Sequence, residues 1–197
     1  MGVRILLGKP VVLEDDASDL GEVAKEIITR GGNYHKHMVE ADQWEKAIQG
    51  YLASISFADA MVGRLLQSLA DSPYADNTIV VIWSDHGWQL GEKSHWRKFA
   101  LWENTLRTVM MMKVPAGLEK MPAGSANGVA TDNLTSLLDI YPTLVDLCNL
   151  PERNDFDGTS LRTMLAEPEN KVPGQLSAPT ITVVTPSVTR TGTTSGT

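Results

Sequence analysis

Asp85 and His86 stand immediately after the apolar run Thr78-Ile79-Val80-Val81-Ile82-Trp83 and immediately before Gly87. A carboxylate and an imidazole that leave a strand together can hold a divalent metal ion, and loops at the carboxyl ends of strands are where α/β proteins place ligands. The next segment, Gly87 to Lys98, holds two glycines, two tryptophans and the nitrogen side chains of Lys93, His95, Arg97 and Lys98. Such a set suits an anion held against a metal, and a local basic patch on an acidic protein can steer a small anion. On the Asp-His pair alone the plainer reading is a turn with a solvated imidazole, and for the basic residues a solvated charged loop. By donor chemistry His86 favours zinc or manganese, because calcium prefers hard oxygen ligands. His35 and His37, in Gly31-Gly32-Asn33-Tyr34-His35-Lys36-His37, read as solvated histidines in a glycine-rich polar loop.

The elements that must position these residues are marked by periodicity and punctuation. Trp44, Ile48, Tyr51, Leu52, Ile55, Met61, Val62, Leu65, Leu66 and Leu69 recur at helical spacing and predict one amphipathic helix over about residues 43–70, its apolar stripe on the sheet. Asp42 with Glu45 has the spacing of a capping box. Asp71-Ser72-Pro73 ends the helix, and Asp76-Asn77 turns the chain into the run 78–83, whose unbroken apolar character predicts a strand buried on both faces. Trp102 to Thr105 reads as a connection, Thr108 to Val114 as a second strand whose three methionines are flexible core filling, and 117–128 as a polar crossing. A helix over about 139–147 tolerates Pro142 in its first turn. The fold class expected is an α/β sandwich, with a largely parallel or mixed central sheet flanked by helices. The domain proper spans residues 1–168; in 169–197 repeated prolines and a Thr/Ser/Gly-rich end predict a loose tail, with one strand possible at 180–184.

The 197-residue chain is long enough to bury a core, and its formal charge of -7 argues against nucleic acid as a partner. Its lone cysteine, Cys148, cannot form an internal disulfide, and at the end of an apolar helix it reads as a small core residue. The apolar run within Met1–Pro10 is too short for a signal peptide, and no stretch is long enough to span a bilayer. Compartment and oligomeric state are left open.

The string Ser84-Asp85-His86-Gly87-Trp88, Leu90-Gly91-Glu92 and Trp96-x-Lys98 resembles a segment of type I sulfatases of the alkaline phosphatase superfamily, in particular the iduronate-2-sulfatase and choline-sulfatase branch. Gln49 to Leu66 resembles the helix before the family's metal strand. Asp139 to Leu147, Leu150-Pro151 and Asp157-Gly158-x-Ser160-Leu161 resemble its later helix and the segment after that helix. The resemblance covers roughly residues 11–168 and implies that Asp85 and His86 are metal ligands, that the ion is calcium in preference to manganese or zinc, and that Lys98 contacts the sulfate. The neighbours of His95 resemble variable positions of the family, which implies that His95 contacts substrate or solvent. The implied substrate is a small sulfate ester or sulfated sugar.

Family members activate a Cys or Ser within C/S-x-P-x-R, oxidised to formylglycine, whose hydrate attacks sulfur while the metal and the lysine neutralise sulfate oxygens. No such motif occurs here: Pro151 stands one position too far from Cys148, and Ile181 replaces the arginine after Ser177-Ala178-Pro179. The family's early aspartate pair also lacks a convincing match, Asp15-Asp16 reading as a solvated acidic loop. The chain is therefore expected to carry part of a sulfatase site and to be inactive alone. The alternatives are a phosphoester or phosphonate hydrolase of the same superfamily and a non-catalytic sulfatase-like fragment.

Overall fold

The computed structural model describes residues 16–30, 34–116, 118–121, 128–168 and 182–183. The chain divides into two compact units, Met1–Ser72 with His86–Thr105, and Pro73–Asp85 with Leu106–Thr197. Helices and small sheets are both present.

The second unit is built on a three-stranded mixed sheet in which β1 (Val80–Trp83) runs antiparallel to β4 (Val109–Lys113), and β4 runs parallel to β5 (Thr182–Val183). Alternation along β4 sends Met110 and Met112 inward, both fully buried, while Val109 is exposed. They meet Met121, Leu147, Leu161, Met164 and Leu165 in one core cluster, so two of the three methionines expected to fill the core do so, while Met111, on the other face of the strand, is half-buried and outside it. β1 departs from expectation. Among the described residues it pairs with β4 alone, and Trp83 at its end is 53% exposed. A short apolar run reports hydrophobicity but not how many neighbours a strand has, so the doubly buried strand read from it is corrected to a half-buried one. Of residues 169–197, only Thr182–Val183 lie within the described residues.

A turn of 3-10 helix at Leu137–Asp139 leads into α5 (Ile140–Leu147). Ser136 and Asp139 form a capping box, and the buried Asp139 carboxylate also accepts the Thr159 backbone N–H at 2.8 Å. Thr143, fully buried, donates to the Asp139 carbonyl at 2.6 Å and accepts the Leu161 N–H at 2.8 Å, fixing the entry to α6 (Arg162–Ala166). Gly158 lies so close to this helix start that a Cβ would meet the Leu138 carbonyl, 2.5 Å from its carbon. The segment Asp157 to Leu161 thus packs and hydrogen-bonds against α5. Cys148 is exposed rather than in the core: it continues the outward row of Tyr141 and Leu144, whereas Thr143, Val145 and Leu147 face inward.

The first unit contains α1 (Glu22–Arg30), α2 (Tyr34–Glu40), α3 (Trp44–Ala70), the antiparallel pair β2 (Gln89–Leu90) and β3 (Trp96–Arg97), and all but the last residue of the single turn α4 (Glu103–Leu106), where the sequence reads as a plain connection. α2 replaces the solvated loop expected around His35 and His37. Its end explains why the expected capping box is absent. The Gln43 N–H bonds the Met38 carbonyl and the Asp42 N–H the Val39 carbonyl, with Asp42 left-handed at φ 51°. That is a Schellman termination of α2, and Asp42, committed to it, cannot also cap α3. The first turn of α3 indeed has no side-chain cap on Gln43. α3 has the expected length, but only Ile48 among its residues is buried, and Ile55, Phe57, Met61 and Leu65 are exposed, so the expectation of a covered stripe is not met.

Candidate functional site

Asp85 is placed by the end of β1. The Ser84 N–H donates to the Val109 carbonyl at 3.0 Å and the Thr108 hydroxyl donates to the Ser84 carbonyl at 2.8 Å, so the backbone is held up to the residue before the carboxylate. Asp85 itself is exposed.

His86 opens the segment belonging to the other unit. Its Nδ1 lies 2.8 Å from the Gly87 carbonyl, a contact that requires Nδ1–H to donate and so puts the lone pair of the neutral ring on Nε2. The ring stacks on Trp88 at 6.2 Å between centroids, and Trp88 stacks on Tyr51 of α3 at 6.1 Å. A column of rings therefore sets the imidazole plane, and the Gly87 N–H is tied to the Thr105 carbonyl at 2.8 Å.

The loop beyond is a hairpin, β2 and β3, closed by a 3-10 turn at Glu92–Ser94. Gly91 (φ 124°), Lys93, Ser94 and Arg97 all have positive φ, so the tight reversal falls here rather than at Gly87. Gly91 is required by packing as well: a Cβ would lie 2.8 Å from Cζ2 of Trp44 and 3.2 Å from Cε1 of His35. The Trp44 indole donates to the Leu90 carbonyl at 2.7 Å and the Trp96 indole donates to Nδ1 of His35 at 3.3 Å, fastening both strands of the hairpin to α2 and α3. Between them lies a cleft of about 290 Å³ whose lining includes Tyr34, Met38, Gly50, Tyr51, Trp88 and Trp96.

The basic residues of the loop do not form one patch. Lys93 donates to the Asp16 backbone carbonyl at 2.6 Å and pairs with the Asp16 and Asp19 carboxylates at 3.1 and 3.3 Å. The Lys93 backbone N–H donates to the Asp16 carboxylate, which is the leading reason that carboxyl is held below its ordinary pKa; the Lys93 ammonium is correspondingly raised by its bond to Asp16. Asp16 is therefore a half-buried anchor of the hairpin turn, not part of a solvated loop; Asp15 lies outside the described residues. The Arg97 guanidinium sits 4.7 Å from the Tyr34 ring centroid. Lys98 is half-buried with its ammonium 5.8 Å from the Phe99 ring, and among the described residues no carboxylate pairs with it. His95 is half-buried, its Nε2 has no hydrogen-bond partner among the described residues, and burial lowers its pKa.

Sequence reasoning missed Asp16, Asp19 and His35. They are chemically ordinary in their local context, and only partners 61 to 77 residues away give them a role. Among the described residues no group of three or more His, Cys, Asp or Glu side chains is placed to hold a metal ion. No helix among them is long and apolar enough to cross a membrane.

Residues 18–150 match the family model described as Sulfatase. The chain is similar to a sulfatase of Formosa agariphila, 40% identical over 131 residues that cover 66% of this chain and 24% of that protein. It is also similar to the iduronate 2-sulfatase of Mus musculus, 33% identical over 57% of this chain and 24% of the relative. The choline-sulfatase of Rhizobium meliloti is 31% identical over 72% of this chain and 26% of the relative. A solved structure in complex with its substrate D-glucosamine-2-N,6-O-disulfate superposes on 68% of this chain and 26% of its own, with a TM-score of 0.57 and 29% identity. The chain thus spans about a quarter of the length of the curated relatives it matches. With the family model matching more than half of its residues, including Asp85 to Lys98, this chain belongs to the sulfatase family.

Proposed function

We propose that this chain, over residues 1–168, is the part of a sulfuric ester hydrolase that carries one side of its metal and sulfate site, without the residue that attacks sulfur. The match of residues 18–150 to the sulfatase family, running through Asp85, His86 and Lys98, carries this reading. Asp85 and His86 hold the metal, and Lys98 binds a sulfate oxygen. His95 contacts the substrate, a small sulfate ester or sulfated sugar; the structural relative's bound D-glucosamine-2-N,6-O-disulfate is of that class.

The donor set fits a divalent ion in part. The Asp85 carboxylate suits calcium, and His86, with Nδ1–H donating to the Gly87 carbonyl, would meet an ion through Nε2. A calcium site takes about six to eight oxygens, so these two residues supply a fraction of one. Family membership favours calcium; the imidazole alone favours manganese or zinc. A bound ion would supply Lewis-acid neutralisation of ester oxygens. Lys98 adds a second positive charge, and its lack of a carboxylate partner among the described residues leaves that charge available to an anion.

The test is to titrate the isotope-labelled chain with calcium chloride, then sodium sulfate, following the backbone resonances of residues 84–98. Weak, millimolar calcium binding should perturb Asp85 and His86 and vanish in Asp85→Ala, and sulfate should perturb Lys98 and lose its effect in Lys98→Ala. Resonances unmoved by either addition would overturn the site. Aryl sulfate and aryl phosphate should both remain unhydrolysed; robust turnover abolished by Asp85→Ala would show that the chain holds a nucleophile after all.

A further inference from the structure

We propose that His35 is a positioning residue for the β2–β3 hairpin: its Nδ1 accepts the Trp96 indole N–H, which only the unprotonated imidazole can do, so the setting of the Trp96–Lys98 segment responds to acid. The coupling does not depend on which ester, if any, the chain binds.

An indole nitrogen can only donate, so the 3.3 Å contact from Trp96 Nε1 defines Nδ1 of His35 as the acceptor and Nε2 as the protonated nitrogen. A proton added at Nδ1 would set donor against donor. The imidazole cannot swing aside freely: it stands edge-to-face on Trp44, with centroids 4.7 Å apart and planes at 85°, and the Gly91 backbone lies against both rings. Three elements therefore meet at one titratable ring.

The titratable and charged groups on those elements are Tyr34, Lys36, His37 and Glu40 on α2, Glu45, Lys46, Tyr51, Asp59 and Arg64 on α3, and Glu92, Lys93, His95 and Arg97 on the hairpin. Lys36 is engaged with Glu40, Lys93 with Asp16 and Asp19, and Arg97 with the Tyr34 ring. Among the described residues none of the carboxylates pairs with His35. Burial is what disfavours its imidazolium, and its pKa lies below the ordinary value. With the folded value lowered, the Trp96 bond and the stability it confers are intact above the ordinary histidine pKa of about 6.5 and are lost as pH falls through the lowered one. The second tie, Trp44 to the Leu90 carbonyl, does not titrate, so acid should release β3 while β2 stays fastened.

The chain has five tryptophans, so its indole N–H resonances can be assigned individually, with Trp96→Phe identifying the relevant one. Between about pH 8 and pH 5, the Trp96 indole should move from a hydrogen-bonded to a solvent-exchanging position, its midpoint below that of an ordinary histidine. The Arg97 and Lys98 amides should follow it, and the Trp44 indole should stay. His35→Asn puts a non-titrating oxygen near the place of Nδ1 and should hold the bonded position throughout. His35→Leu should lose it at every pH. A Trp96 resonance that does not move in the wild type would overturn the proposal. So would one that titrates equally in His35→Asn, which would assign the event to His95 or to general acid unfolding.

Discussion

The two units of the chain secure their loops by different means. Around α5 the polar groups close on backbone and on each other: Asp139 takes two backbone N–H groups, Thr143 bridges a carbonyl and an N–H, and the Asp146 carboxylate receives Ser160, Arg162 and Lys120. Around the hairpin the ties are side chains reaching from distant helices, one of them a titratable acceptor, and among the described residues two buried polar atoms there, Gln89 Oε1 and His95 Nε2, have no hydrogen-bond partner, against Thr135 Oγ1 in the other unit. A buried network satisfied by backbone groups fixes one geometry, whereas a loop held by rings and a histidine can be reset by a proton. The residues proposed to meet metal and sulfate are those just beyond the fixed strand end and those on the resettable hairpin.

The most severe way to break the contrast is Gly158→Ala. The added methyl meets the Leu138 carbonyl, a backbone group that cannot step aside alone, so about 3 kcal/mol of stability should be lost, the upper range for overpacking. Trp83 lies in this unit and the other four tryptophans lie in the hairpin unit, so single-tryptophan reporters in denaturant can tell which unit responds. The Trp83 signal should lose stability while the hairpin reporters hold theirs; equal shifts in all would mean that the two units unfold as one.

Thr143→Val is the next step down. It preserves shape but strands the Leu161 N–H, while the Asp139 carbonyl keeps the backbone bond of the first helical turn, and a buried group left unsatisfied costs about 1–3 kcal/mol. Denaturation followed at Trp83 should show a loss of about 2 kcal/mol within that range. An unchanged midpoint would mean that water or a shifted backbone serves the Leu161 N–H and that the closed network is less exclusive than its geometry implies.

What can be read in the sequence depends on the range over which each feature is encoded. The long helix, the strand before Asp85 and the methionine strand are written in local periodicity, and all three occur within a few residues of where their patterns put them. Asp85 and His86 are adjacent, so their exit from a strand end is local too. The hairpin's anchors are not. Lys93 finds Asp16 across 77 positions and Trp96 finds His35 across 61, and nothing in either neighbourhood announces the partner. Asp42 shows a different limit. Its spacing to Glu45 fits a cap on the next helix, but the same residue can end the preceding one, and the left-handed backbone at φ 51° decides for the latter. β1 and Cys148 are less buried than their patterns predict because apolar character says that a residue can be buried, not that something covers it.

The smallest effect expected is at the apolar stripe of α3, where Leu65 is 70% exposed and Phe57 68%. Leu65→Lys changes a side chain with little contact to lose, lysine is a comparable helix former, and surface substitutions of this kind usually fall within about 0.5 kcal/mol. Stability measured on this chain at low concentration should therefore be unchanged within that margin, in contrast to Gly158→Ala and Thr143→Val. Repeating the measurement over a range of protein concentrations sharpens the comparison. If the stripe associates with a second copy, the wild-type midpoint would rise with concentration and the Leu65→Lys midpoint would not, because association linked to folding makes stability concentration-dependent. A loss well above that margin at low concentration would mean that the stripe is covered within the chain, and that the hairpin unit has a core of its own as closed as the one around α5.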